Sequence, residues 1–253
     1  MKLAVLVDNN TLIDRYYLGE PGFSVYLEDN KHHILFDTGY SDAVVRNAKK
    51  MHIHLDKIDT IVFSHGHNDH TGGMRYLSKL SQEIYLISHP DAYNEKHYEG
   101  LDVSMPVKHY PANFHSVLSK NVLPVSDHLL FLGEIPRLYT PLMPLEDDPL
   151  YDDSALVYEK EEGFFLITGC SHSGIINICE YAKQITAKSH ILGIIGGFHI
   201  QNNPDYAKEV ADYFSKEDID VLYPCHCTDL QAKIELSRSC KLKEVGVSMT
   251  LEI

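Results

Sequence analysis

The sequence has few of the features that would assign its class directly. Its 253 residues include only five cysteines, an odd number without the paired spacings of a disulfide framework. No apolar run approaches the roughly 18 residues that a membrane span needs. Lysine and arginine number 22 against 36 aspartates and glutamates, which gives a formal net charge of −14. So acidic a chain repels phosphate backbones, which disfavours a nucleic-acid-binding protein.

The rest of the composition is that of an ordinary globular chain. Hydrophobic residues make up 44% and charged residues 23%, enough for one large domain or two small ones. The segment Met1–Asn10 has one lysine, a short apolar run and then polar residues, which predicts a strand rather than a signal peptide. We therefore expect a cytoplasmic protein without a membrane partner. The unusual count is sixteen histidines, and the question is whether some of them converge.

Short apolar runs and amphipathic stretches predict alternating strands and helices. The predicted strands are Leu3–Val7, Phe23–Leu27, His32–Phe36, Thr60–Phe63, Ile84–Ile87, Ala155–Tyr158, Phe164–Ile167, Ile191–Ile195, Val221–Tyr223 and Val245–Leu251. The predicted helices are Ser41–Met51 with Ser41 as N-cap, Thr71–Leu80, and about 174–186, 205–216 and 229–237. This order predicts an α/β fold in four αββα layers, a single domain of residues 1–253 with two mostly mixed β-sheets and helices outside. Residues from about 89 to 150 form a less regular insert, which we expect to cover the site.

The strongest chemical signal is the segment Ser64–Gly73, in which four potential metal ligands fall within six residues. His65, His67, Asp69 and His70 supply imidazole and carboxylate groups, the nitrogen and oxygen ligands that zinc and similar metals prefer. The segment joins a predicted strand to a predicted helix, so its side chains can point in several directions around one or two ions. The alternative is a polar surface loop that happens to be rich in histidine.

Other polar side chains also come directly after predicted strands. His172, His199, His226 and Asp37 each follow one, and ligands of α/β sheets bind beyond the carboxyl ends of strands. If these strands share a direction, the four side chains gather on one rim. His89 follows a strand too and is a weaker candidate. Nine further histidines have no ligand spacing and are expected at surface or half-buried positions: His32, His33, His52, His54, His97, His109, His115, His128 and His190.

The cysteines permit two other interpretations. Cys225 and Cys227 flank His226, as in a zinc ribbon, but such sites need a second cysteine pair and the sequence has none. We interpret the two as small buried residues or redox-sensitive neighbours of the histidine. A catalytic cysteine–histidine pair is also conceivable, but it would leave the cluster at 65–70 without a role.

The segment His65-x-His67-x-Asp69-His70 resembles the hallmark of the metallo-β-lactamase superfamily, and the resemblance extends from Phe36-Asp37-Thr38-Gly39 to His226. It implies an αββα sandwich with a dinuclear metal site at the sheet edge. Several strings are similar to the subgroup of 7,8-dihydropterin-6-methyl-4-(β-D-ribofuranosyl)-aminobenzene-5′-phosphate synthases. They are the segments 65–73, 169–175, 196–199 and 224–228.

Two departures from the superfamily pattern change the expected ligands. The stretch Leu142–Asp153 lacks the histidine that usually precedes the Thr-Gly strand, and Cys170 stands where a bridging aspartate is usual. The resemblance therefore implies His172 as the replacement ligand. Asp153 is a further candidate, as a second replacement ligand or as a substrate contact. Its alternative is a solvated acidic turn.

From the resemblance we expect two divalent ions, zinc in the first place, with manganese or iron as alternatives. One ion is assigned to His65, His67 and His172, and the other to Asp69, His70 and His226. Asp69 is also a candidate to orient the attacking water or accept its proton. Asp37 is expected to fix a ligand imidazole, with Cys170 beside the ligands, and His199 to contact the substrate or act as general acid.

The expected function is that of a metal-dependent enzyme whose metal-activated water attacks a small substrate carrying a phosphate or a ring. From the resemblance, this enzyme is either a phosphoester-type hydrolase or the pterin-linked synthase. Tyr93, Tyr98, Tyr110 and Phe114 of the insert are candidates to stack on a planar ring, with ordinary packing as the alternative. Two other classes remain open, a di-iron protein that reduces oxygen or carries electrons and a non-catalytic module that binds a ligand through its metals. The sequence indicates no oligomeric state.

Overall fold

In the computed structural model, residues 1–139 and 148–253 are described, and their chain folds into two compact units. Unit 1 comprises residues 1–120, 145–152 and 245–253, and unit 2 comprises 121–144 and 153–244. The acidic residues Glu146 and Asp147 lie outside the described residues, as does half of the histidine-free stretch Leu142–Asp153, namely residues 142–147. None of the helices in the described ranges has the length and hydrophobicity that crossing a bilayer requires.

The secondary structure confirms the predicted alternation of strands and helices. The strands are β1 Lys2–Val7, β2 Ser24–Asp29, β3 His32–Phe36, β4 Thr60–Val62, β5 Ile84–Ser88, β6 His97–Tyr98, β7 Leu101–Asp102, β8 Phe114–Leu118, β9 Leu123–Pro124, β10 Leu129–Phe131, β11 Ala155–Glu159, β12 Phe164–Thr168, β13 Ile191–Gly196, β14 Leu222–Pro224 and β15 Thr250–Glu252. The α-helices are α1 Ala43–Lys50, α2 Asn68–Thr71, α3 Met74–Leu77, α4 Ile175–Thr186, α5 Pro204–Phe214 and α6 Leu230–Leu236.

The large sheet of unit 1 has seven strands in the order β15-β1-β2-β3-β4-β5-β8. The neighbours from β15 to β3 run antiparallel, whereas β3, β4, β5 and β8 run parallel. The parallel strand β4 is wholly buried, as expected where both faces of a sheet are covered. The carboxyl ends of β3, β4 and β5 therefore lie at one edge, where Asp37, the 65–70 segment and His89 follow them.

The sheet of unit 2 has six strands in the order β14-β13-β12-β11-β10-β9. β11 and β12 form an antiparallel hairpin, and β12, β13 and β14 run parallel. These three strands therefore meet the condition stated for the sequence, that the strands preceding the histidines run in the same direction. The residues that follow them, His172, His199 and His226, consequently leave the sheet at the same edge.

Amphipathic helices complete the core of each unit. In unit 1, α1 buries Ala43, Val44, Asn47 and Ala48 on one side. In unit 2, α4, α5 and α6 contribute to an apolar cluster with the strands of the second sheet. The ends of two of these helices follow known capping rules, because the side chains of Asn203 and Asp229 accept hydrogen bonds from backbone N–H groups in the first turn.

Three element predictions were wrong in their bounds. The helix predicted over Thr71–Leu80 is two short helices, α2 and α3, separated by Gly72 and Gly73. A Cβ at these glycines would lie 2.4 Å and 2.1 Å from the backbone oxygens of Tyr40 and Thr38, so the chain needs glycine to pass there. The strand predicted over Val245–Leu251 is only β15, because Ser248 has a left-handed backbone with φ of 76°. The helix predicted over Ser41–Met51 is the shorter α1, and its N-cap is Asp42 rather than Ser41.

The insert contains regular structure that its composition did not reveal. Its residues form β8 at the edge of the first sheet and β9 and β10 in the second. The sequence showed these strands poorly because they are short and carry exposed residues, as an edge strand does.

Candidate metal centre

The 65–70 segment of unit 1 begins in a loop and ends on a helix. His65 lies in the loop after β4, His67 is the N-cap residue of α2, and Asp69 and His70 lie on the helix itself. The carbonyl of His67 accepts hydrogen bonds from the backbone of His70 and from the Thr71 hydroxyl, the latter at 2.9 Å. The turn of α2 thus places side chains from both parts of the segment on one side of the loop.

The three imidazoles of this segment form a buried cluster. The His65 ring centroid lies 4.6 Å from that of His67 and 4.3 Å from that of His70. Nε2 of His65 and Nδ1 of His67 are 3.0 Å apart. Two nitrogens bound to the same tetrahedral zinc ion are about 3.3 Å apart when the bonds are about 2.0 Å. The two nitrogens are therefore close to the spacing of two ligands on one ion, and an ion could replace the proton of their hydrogen bond.

Asp37 orients this cluster from the end of the neighbouring strand. Its buried carboxylate accepts hydrogen bonds from the backbone N–H of Ser64 at 2.8 Å, the Ser64 hydroxyl at 2.7 Å and Nδ1 of His70 at 2.7 Å. The bond from Nδ1 leaves the lone pair of His70 on Nε2. A carboxylate behind a histidine is the usual device that fixes the tautomer and orientation of a metal ligand.

Ser64 transmits the effect of Asp37 to a second histidine. Because its hydroxyl donates its only proton to Asp37, it acts as acceptor towards Nδ1 of His65, which is 2.9 Å away. The Nε2 atom of His65, which faces His67, therefore carries that ring's lone pair. One aspartate thus sets the tautomers of two imidazoles.

Burial keeps His67 in the neutral form that metal binding requires. Desolvation lowers the pKa of His67 from its ordinary value to about 4, although the nearby Asp69 opposes the shift. The carboxylate of Asp69 is more accessible, with 29% of its side chain exposed, and its Oδ2 lies 3.7 Å from Nε2 of His70. Three imidazoles next to an accessible carboxylate form a donor set suited to a divalent transition metal.

A buried charge network that the sequence did not reveal is hydrogen-bonded to the loop that carries His65 and His67. The backbone N–H of Gly66 donates to Oδ2 of Asp152 at 2.7 Å, and Nζ of Lys96 lies 3.0 Å from the other oxygen of that carboxylate. Lys96 also pairs with Asp148 and is only 1% exposed. Burial alone would lower the pKa of Lys96, but the two aspartates outweigh it and raise that pKa. No ligand-like spacing marked Lys96, which comes from the insert.

Unit 2 presents its polar side chains at three separate strand ends. Cys170 and His172 follow β12, His199 follows β13 and His226 follows β14. Sγ of Cys170 lies 3.2 Å from Nε2 of His226, and the rings of His172 and His199 are 4.2 Å apart between centroids. The sequence thus predicted correctly that residues after these parallel strands come together.

Backbone hydrogen bonds hold the three strand-end loops of unit 2 against one another. Gly197 donates to Gly169 at 2.8 Å and Cys225 donates to Gly196 at 2.9 Å. The Ser171 hydroxyl donates to the carbonyl of Gly197 at 2.6 Å. Ser171, His199 and His226 all have left-handed backbones, with φ between 49° and 63°. Such strain in residues other than glycine is typical of functional sites.

Asp153 is buried and bonded to the loop that carries His172. Its Oδ2 accepts hydrogen bonds from the backbone N–H of Ser173 at 2.8 Å and from the Ser173 hydroxyl at 2.5 Å. The alternative of a solvated acidic turn is therefore wrong, since only 1% of the residue is exposed. The substrate or metal contact suggested for it stays a prediction.

Several weaker candidates have structural roles. Nδ1 of His89 accepts a hydrogen bond from the backbone of Asp91 and so caps a short 3-10 helix. Tyr110 and Phe114 stack on each other at 6.0 Å, and Tyr93 packs on the apolar core of unit 1. Of the four aromatic residues proposed to stack on a ligand ring, Tyr98 is the exposed one.

Comparison with known proteins identifies a family for this chain. The model of the Metallo-beta-lactamase superfamily matches residues 18–226. An uncharacterized protein of Methanocaldococcus jannaschii is 32% identical over 251 residues, covering 93% of this chain and 94% of its own. The 7,8-dihydropterin-6-methyl-4-(β-D-ribofuranosyl)-aminobenzene-5′-phosphate synthase of the same organism is 28% identical over 239 residues, covering 83% and 81%.

A solved structure gives the same answer for the fold. The crystal structure of Tm1679, described as a metal-dependent hydrolase of the β-lactamase superfamily, is 26% identical and superimposes with a TM-score of 0.88. The match covers 100% of this chain and 99% of that one. The predicted α/β fold class and the predicted family are thereby confirmed, and the chain belongs to the metallo-β-lactamase superfamily.

Proposed function

We propose that the protein is a metal-dependent enzyme of the hydrolase type, acting on a small substrate that carries a phosphate or a ring. The observation that carries the proposal is the arrangement around Asp37, which sets the tautomers of His65 and His70 within a buried cluster of three imidazoles. Superfamily membership and the likeness to a metal-dependent hydrolase support an enzyme. The synthase reaction is a narrower proposal, supported by a relative at 28% identity.

The proposed ligands are those of the sequence pattern. In unit 1 they are His65, His67, Asp69 and His70, and in unit 2 they are His172 and His226. Imidazole and carboxylate donors fit zinc first, and also manganese or iron. When two such ions are bound, they supply Lewis acidity, which lowers the pKa of a coordinated water and stabilises negative charge on the substrate.

The protein's own groups position and move protons around this chemistry. Asp37 fixes the ring of His70, and Ser64 fixes that of His65. The accessible carboxylate of Asp69 is proposed to orient the water or to accept its proton. His199, which is partly exposed, is proposed to contact the substrate or to protonate the leaving group.

The charge of the chain is compatible with an anionic substrate. Bound dications dominate the local field of a site even in a protein with a net charge of −14. We therefore propose a small phosphate ester or related anion, and no nucleic acid, as the partner. The insert is proposed to shape the pocket around it.

Metal analysis combined with a substrate panel tests the proposal. We expect tightly bound transition metal in the purified protein, and turnover of a chromogenic phosphodiester, phosphomonoester or thioester that zinc, manganese or iron restores after chelation. The His67→Ala variant should lose most of its metal. His54→Ala, whose side chain is 67% exposed, is the matched control and should lose none.

Three outcomes would count against the proposal. Less than one bound metal per chain without activation by added metal would remove its basis. Unchanged metal content in His67→Ala would contradict the ligand assignment. A purified protein that contains iron, takes up oxygen and hydrolyses nothing in the panel would favour the di-iron alternative.

A further inference from the structure

Unit 2 contains a cluster of soft metal donors that the proposed function does not use as ligands. Sγ of Cys170, Sγ of Cys227 and a ring nitrogen of His199 all lie within 4.8 Å of one another. The two thiols are buried, with 4% and 6% of the residues exposed, and the histidine is partly exposed. The cluster therefore joins residues from the ends of three strands, β12, β13 and β14.

The backbone around the cluster is built to let Cys227 approach. A Cβ at Gly197 would lie 2.4 Å from Sγ of Cys227 and 2.8 Å from the carbonyl of Gly169, so only glycine leaves room for the thiol. The same thiol donates to the carbonyl of Cys170 at 3.5 Å. His199 reaches the cluster from a left-handed backbone with φ of 49°. The absence of a side chain at Gly197 and the strained backbone of His199 therefore bring these donors close to one another.

The spacing of the donors matches what a tetrahedral ion requires. With bonds of about 2.3 Å to sulfur and about 2.0 Å to nitrogen, ligand atoms around zinc are about 3.4 to 3.8 Å apart. Distances within 4.8 Å thus reach that geometry through small side-chain rotations. Two thiolates and one imidazole select thiophilic ions over magnesium or calcium, which prefer oxygen ligands.

We propose that Cys170, His199 and Cys227 form a binding site for a thiophilic divalent ion such as zinc or cadmium, with one coordination position left open. The site lies within unit 2 and is additional to the ions of the proposed function. While such an ion is bound, the His199 ring is engaged as a ligand and cannot contact a substrate. Binding at this site requires no turnover, so it can be tested whether or not the proposed reaction is correct.

Metal–thiolate absorption tests the site directly. The reduced, chelated protein is titrated with Co²⁺ and, separately, with Cd²⁺ under nitrogen, and sulfur-to-metal charge-transfer absorption is recorded in the near ultraviolet. We expect this absorption in the parent protein and a loss of about half or more in Cys227→Ala, since one of the two thiolates is gone. Cys225→Ala removes a buried thiol from the same tripeptide and should leave the absorption unchanged.

A second measurement does not depend on any variant. Cadmium NMR of the parent protein reports the number of sulfur ligands through the chemical shift, and we expect a resonance typical of a cadmium ion with two thiolates. If cadmium binds but no resonance appears at the chemical shift of an ion with two thiolate ligands, the proposal is overturned. Absorption that is the same in Cys227→Ala as in the parent protein would also overturn the proposal, because Cys170 alone would then account for it.

Discussion

The two units present polar groups at the ends of parallel strands in different ways. Unit 1 places three imidazoles in one continuous segment that ends on α2, and one aspartate, Asp37, orients it. Unit 2 takes one or two side chains from each of three strand ends and adds thiols to the imidazoles. The comparison shows that strand direction alone brings scattered residues together, whereas a contiguous motif needs only a loop and one turn of helix.

The two units also differ in how deeply they bury charge. In unit 1, Lys96 pairs with Asp148 and Asp152, and the three side chains are between 0% and 10% exposed. In unit 2, Lys183 pairs with Glu180 at 2.7 Å and Glu217 at 2.5 Å, but 19% of its side chain stays exposed. Both networks consist of one lysine between two carboxylates. Replacing the lysine in each therefore shows how much burial changes the contribution of such a network to stability.

The largest expected effect is on stability. Lys96→Met keeps most of the side-chain volume but leaves two buried carboxylates without their cation. We expect the free energy of unfolding to fall by about 3 to 5 kcal/mol. Lys183→Met should lose about 1 kcal/mol or less, because solvent screens its partners. Urea unfolding of both variants, followed by circular dichroism, measures the difference. Equal losses would mean that burial does not distinguish the two networks.

A somewhat smaller effect is expected from pH in the chelated protein. His67 has a pKa of about 4 in the folded chain and about 6.5 when unfolded, so the unfolded state takes up the proton first as the pH falls. The contribution of His67 to the free energy of unfolding is therefore complete above about pH 6.5. It is lost between about pH 6.5 and 4 and amounts to up to about 3 kcal/mol. His67→Asn should flatten that part of the stability profile, measured by urea unfolding at a series of pH values. A profile as steep as that of the parent protein would assign the loss to other groups.

The smallest expected effect separates two buried aspartates, Asp37 and Asp153. Asn accepts the left-handed backbone of Asp37, whose φ is 55°, so Asp37→Asn removes the charge behind His70 and leaves the turn intact. We expect zinc affinity to fall by about 10- to 100-fold. Asp153→Asn should lower it less, because Oδ2 of Asp153 accepts hydrogen bonds from the backbone N–H and the hydroxyl of Ser173, which is not a proposed ligand. Competition with a chromogenic chelator measures both, and a larger loss in Asp153→Asn would reverse the comparison.

The sequence predicted the parts of this molecule that depend on local patterns. The 65–70 segment, the strands around it and the convergence of residues after β12, β13 and β14 could all be predicted, because apolar runs and ligand spacings are visible in one dimension. The position of Asp37 was predicted from its place after a strand. Its bond to Ser64 could not be, since nothing in the sequence marks that serine.

What the sequence could not show depends on contacts between distant residues. Lys96 and Asp152 are 56 positions apart, and only the folded chain reveals that their pair holds the backbone of Gly66. Cys170 and Cys227 are likewise 57 positions apart. From the sequence, Cys227 was interpreted as a small buried residue or a redox-sensitive neighbour of His226. Only the close approach that Gly197 permits brings its thiol to Cys170 and His199.

The left-handed backbones of Ser171, His199 and His226 bear on how this chain tolerates mutation. Each such residue destabilises the fold by about 1 to 2 kcal/mol relative to a relaxed backbone. A variant library selected for thermal stability alone should therefore accumulate glycine or asparagine at 171, 199 and 226. A library selected for the protein's activity should retain the histidines, because the side chains, and not the backbone, are what selection preserves there.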